Sequence, residues 1–106
     1  MARVAELMNV TTGDTSNVEG TAHLCHHQYD ESGAVQYTIT AGTATEVELQ
    51  GRLTSAQAWI EIATSGALNS AGTADILQTG IAILPEMRAV LKGPSSGAAV
   101  KVYLME

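Results

Sequence analysis

Apolar and polar residues alternate with a period of two through much of this chain, and single glycines cut the alternation into short pieces. The clearest stretch is Glu46-Val47-Glu48-Leu49-Gln50-Gly51-Arg52-Leu53. Successive side chains of a strand point to opposite faces. Val47, Leu49 and Leu53 therefore face one way, while Glu46, Glu48, Gln50 and Arg52 face the other. That predicts a strand with one dry and one wet face, as in two packed sheets. The last third repeats the pattern. Ile81-Ala82-Ile83-Leu84 leads into the corner Pro85-Glu86, then Met87–Lys92, the turn Gly93-Pro94-Ser95-Ser96-Gly97, and Val100-Lys101-Val102-Tyr103-Leu104. A strand so near the last residue predicts an end held in a sheet.

Glycine and turn chemistry place the breaks, notably Asp30-Glu31-Ser32-Gly33 and Asn69-Ser70-Ala71-Gly72. Between them strands are predicted near 4–8, 20–29, 35–40, 46–53, 58–64, 75–77, 81–84, 87–92 and 98–105. Ser55–Ala63 could instead open with a serine cap and run as a helix. The alternation of Ile60, Glu61 and Ile62, with Gly66 close behind, favours a strand. The expected fold is all-β: an antiparallel β-sandwich or jelly-roll of about eight strands. Residues 1–12 form an N-terminal arm or a first strand, and 13–106 a single sandwich domain.

At 106 residues the chain can build one core but not two. It has no Phe, one Trp and three Tyr, so that core is made of small and β-branched side chains. Each buries little area, which makes self-association a natural supplement. The net charge of −6 is distributed unevenly. Between Arg3 and Arg52 there is no Lys or Arg, against seven acids: Glu6, Asp14, Glu19, Asp30, Glu31, Glu46 and Glu48. From Arg52 onward four basic residues balance four acidic ones. Phosphate would be repelled, so no nucleic-acid partner is expected; a basic protein surface fits better, unless the acids serve only solubility.

Cys25 is the only cysteine, which excludes an intrachain disulfide. No run approaches the ~20 apolar residues of a membrane-spanning helix, and Met1–Glu6 lacks the apolar stretch of a secretion signal. A protein used without secretion, away from membranes, is expected.

Candidate chemistry is sparse. His23, Cys25 and His27 share one face of a strand and are metal-ligand types, though a rigid strand cannot close all three on one ion. Their other reading is mixed polar surface, with Cys25 a small hydrophobe. No Gly-x-Ser-x-Gly elbow or phosphate-cradling glycine loop is present, and Glu46 and Glu48 fall on the wet face, where carboxylates are solvated. The chain reads as a non-enzyme without a cofactor. Trp59, the largest side chain, reads either as a core or rim residue or as an interface anchor.

Leu49-x-Gly51-Arg52-Leu53, Ala58-Trp59-Ile60-Glu61-Ile62, Ile83-Leu84-Pro85-Glu86-Met87-Arg88 and the closing Val100-Lys101-Val102-Tyr103-Leu104 together resemble small β-sandwich virion proteins of tailed bacteriophages. The resemblance runs from Leu49 onward; the first forty residues carry none of it. It implies a capsid decoration (cement) protein, a homotrimer seated on the major capsid protein of the virion, with no catalytic residues. Small tail, neck or adaptor components share the type. A receptor- or carbohydrate-binding sandwich is the remaining alternative, and would expose several aromatics on one face. Trp59, Met87, Arg88 and Tyr103 are the candidates for contact with a partner.

Overall fold

The computed structural model describes residues 3–26 and 32–106. Among these the chain is all-β and antiparallel, with no helix. One sheet has the order β1-β11-β4-β9, from β1 (Val4–Thr11), β11 (Ala99–Met105), β4 (Ser32–Ala41) and β9 (Asp75–Ala82). The second runs β10-β6-β7, from β10 (Glu86–Lys92), β6 (Glu46–Arg52) and β7 (Ile60–Thr64). Its outer edge is made of two short pieces on β10, β2 (Val18–Glu19) and β3 (His23–Leu24). A small ladder of β5 (Thr43–Ala44) and β8 (Leu68–Asn69) closes one end.

The two sheets bury one shared core, with Val35, Tyr37, Ile39, Val100, Val102 and Leu104 meeting Val47, Leu49, Met87, Ala89 and Leu91. The chain changes sheet at most steps. With β2 and β3 counted as one interrupted strand and the small ladder set aside, eight strands remain. They lie first-eighth-third-sixth against second-seventh-fourth-fifth.

Several expectations are corrected. Of the two readings of residues 1–12, the first strand is the one found, since Val4–Thr11 pairs with β11 on both sides of a bulge at Leu7. Of the single strand expected over 20–29, only His23–Leu24 is strand among the described residues, and the other short contact with β10, Val18–Glu19, precedes it; residues 27–31 lie outside the described residues. The strands expected at 75–77 and 81–84 are one strand, β9. Gly33 pairs with Ile81 and Ala34 with Thr79, which leaves Gly80, at φ 68°, as an extra residue in a bulge. Glycine takes that left-handed conformation without a Cβ clash, and the bulge breaks the alternation that would have revealed one strand. A bulge at Ile62 interrupts the pairing of β7; Ile62 packs on the core, while Ile60, opposite Gly51, is exposed. Leu53 falls beyond the end of β6 and is exposed, and Gly51 takes the inward place beside Met87.

Candidate functional site

The outer face of the β10-β6-β7 sheet carries a connected polar network. Residues paired across an antiparallel ladder point the same way. The pairs Glu86–Arg52, Arg88–Gln50, Val90–Glu48 and Lys92–Glu46 therefore all project from this one face. Arg52 donates from Nε and Nη2 to Glu86 Oε1 at 3.2 and 3.0 Å. Arg88 donates from Nε to Gln50 Oε1 at 2.7 Å and from Nη1 to Glu19 Oε2 at 3.1 Å. Gln50 Nε2 donates to Glu48 Oε1 at 2.9 Å, and Lys92 Nζ donates to Glu48 Oε2. Glu48 is buried, not solvated as its place on the wet face suggested. The Lys92 and Gln50 bonds outweigh that burial and hold its carboxyl below the usual range.

Trp59 lies at the head of β7, half-buried, with the Arg52 guanidinium 4.0 Å and the Arg88 guanidinium 4.5 Å from its ring centroid. The ring is thus a platform for two cations already engaged by carboxylates. Arg88 is itself occupied by Gln50, Glu19 and Trp59. Met87 is 0% exposed and packs in the core, so it cannot touch a partner. That corrects its expected role: its parity on β10 is opposite to that of Arg88. Val90 shares the outer face with Arg88 but is covered there.

Two of the seven early acids meet late bases across the strands. The early acids Glu19 and Glu48 pair with the late bases Arg88 and Lys92, because β10 lies between β2 and β6.

The outer face of the other sheet is different. The row Val4–Met105–Ala34–Thr79 lies next to the row Glu6–Tyr103–Gln36–Leu77. Val4 and Leu77 are 70% and 64% exposed, and Met105 43%. These side chains line a shallow depression of about 320 Å³ with Ala34, Gln36 and Tyr103. The Tyr103 hydroxyl donates to Glu6 Oε2 at 3.2 Å, which raises its phenol above the ordinary value. Tyr103 was anticipated as a contact residue; Val4, Leu77 and Met105 were not. Their exposure depends on which rows the register brings together, and alternation alone does not reveal that.

A third arrangement joins the sheets. His23 Nε2 lies 2.6 Å from Glu106 Oε2, and the Glu106 Oε1 accepts the His26 N–H. With the Cys25 Sγ these donors lie within 4.8 Å of one another. Burial, and then the Glu106 charge, push the Cys25 thiol up to about 12. Burial alone would raise Glu106 as well, but the His26 N–H and the His23 ring bring its carboxyl below the usual range. His23 and Cys25 are thus brought together as their spacing predicts; His27 lies outside the described residues, and the third donor is Glu106.

No protein-family model, curated protein or solved structure matches this chain.

Proposed function

We propose that this protein is a bacteriophage virion structural protein, a capsid decoration protein that binds the outer shell as a homotrimer and stiffens it. The observation that carries the reading is the contrast between the two broad faces. On one, Arg52, Arg88 and Lys92 are each paired with a carboxylate of the chain. The other presents Val4, Leu77, Met105 and Tyr103 in adjacent rows, an apolar surface that a second copy of this chain would cover. The molecule is a slab of 38 × 27 × 17 Å, so each broad face is on the scale of the ~800 Å² per partner of a stable interface. The order of the eight strands favours a jelly-roll reading, and the motifs from Leu49 onward resemble those of small virion sandwiches.

Repeated over a shell, such a slab adds many modest contacts to the major capsid protein, and their avidity resists pressure from within. Mass photometry at micromolar concentration tests the trimer. The expected result is a native trimer that Leu77→Glu dissociates into folded monomers; a native monomer would remove the main support. Addition to shells stripped of this protein tests the seat. Binding to shells supports decoration, and binding to tails instead would make the protein a tail or neck component.

A further inference from the structure

We propose that His23, Cys25 and Glu106 bind a single divalent transition-metal ion of the zinc class. Each donor is held by backbone that is already paired. His23 sits in β3 on the edge of β10, and the Cys25 N–H donates to the Pro85 carbonyl at 2.8 Å. Glu106 exchanges two backbone bonds with Arg3, at 3.1 and 2.9 Å. The three side chains converge from the two different sheets, with donor atoms within 4.8 Å of one another.

A tetrahedral zinc has bonds of about 2.0 Å to nitrogen and oxygen and 2.3 Å to sulfur, which places these three ligands roughly 3.3–3.5 Å apart. From donors within 4.8 Å of one another, the cluster reaches that by closing on the Cys25 sulfur by no more than about 1.3 Å and opening the 2.6 Å His23–Glu106 contact by about 0.7 Å. One imidazole, one thiolate and one carboxylate form a borderline set, which suits zinc or cobalt better than calcium or magnesium. The His26 N–H engages one Glu106 oxygen and leaves the other to ligate, an orienting role common around metal ligands. Three protein ligands leave a fourth position for water. The ion would tie β3 to the end of β11 across 83 positions of sequence, a clip that restricts the unfolded chain far more than the folded one.

Cobalt(II) titration of the tag-free, reduced full chain tests this. Because Cys25 is the only cysteine, a sulfur-to-cobalt charge-transfer band reports its ligation in the unmutated protein. The expected result is one ion per chain, with that band and the intense visible bands of a tetrahedral site. Cys25→Ser should abolish the charge-transfer band. Glu106→Gln and His23→Gln should each weaken binding by at least about tenfold, the scale seen when even supporting groups are lost. His26→Gln should change little, since its backbone makes the contact. Zinc should raise the thermal midpoint of the native chain and not that of the Cys25 variant. No cobalt bound at micromolar concentration, binding without the charge-transfer band, or one ion shared between two chains would each overturn the site.

Discussion

The Tyr37 hydroxyl of β4 donates to Gln78 Oε1 of β9 at 3.0 Å, and Gln78 passes the link to the opposite sheet by donating Nε2 to the Thr64 carbonyl at 2.8 Å. The most buried aromatic of the core is thereby connected to both sheets through one amide. Burial also pushes the Tyr37 phenol well above its ordinary value.

Tyr37→Phe keeps the ring and removes the donor. Gln78 is only half-buried, so water can replace part of the bond, and the expected loss is about 1 kcal/mol. Urea unfolding should show a lower midpoint with an unchanged slope, the sign of a stability change without a change in the surface exposed.

Trp59→Ala removes the platform under Arg52 and Arg88. The ring is half-buried, so the 3–5 kcal/mol of an enclosed Trp does not apply. Two partly exposed cation–π contacts place the loss at about 1–2 kcal/mol. Native emission should lie between those of buried and free indole, and Trp59→Phe should recover part of the loss.

Glu48 ties the outer network together, and its folded carboxyl titrates below the unfolded value of 4.5. A depressed pKa contributes stability that is present above the unfolded value and disappears as pH falls through the folded one. Glu106, lowered as well, acts in the same direction. Thermal midpoints should therefore drop as pH is lowered from about 5 through the carboxylate range, and Glu48→Gln should flatten that drop. A midpoint profile unchanged by this substitution would remove Glu48 from the network's energetics.

Two glycines that look alike in the sequence should respond oppositely to alanine. At Gly33 a new Cβ would strike the Met105 carbonyl and lie 2.7 Å from Ile83 Cδ1. Backbone cannot yield cheaply there, and Gly33→Ala should cost about 3 kcal/mol. At Gly72 a Cβ meets nothing within 4 Å and φ is not left-handed, so alanine should leave stability equal or up to about 1 kcal/mol higher. Thermal unfolding of the two variants side by side checks both.

What the sequence determined by itself is local: period-two alternation and glycine punctuation suffice for an all-β antiparallel fold, for β6 and β10, and for the turn at Gly93–Gly97. Spacing alone also put His23 and Cys25 on one side. Tertiary structure decided the rest, because pairing joins residues that no local window contains. Gly80 reads as the end of a strand until its bulge is seen opposite Gly33 and Ala34. Met87, a contact candidate in the sequence, is enclosed once the facing sheet covers its side of β10. Glu19 and Glu48 read as free surface acids until β10 brings Arg88 and Lys92 against them. Glu106 joins His23 only because β11 and β3 end at the same place, 83 positions apart in sequence and 2.6 Å apart in space.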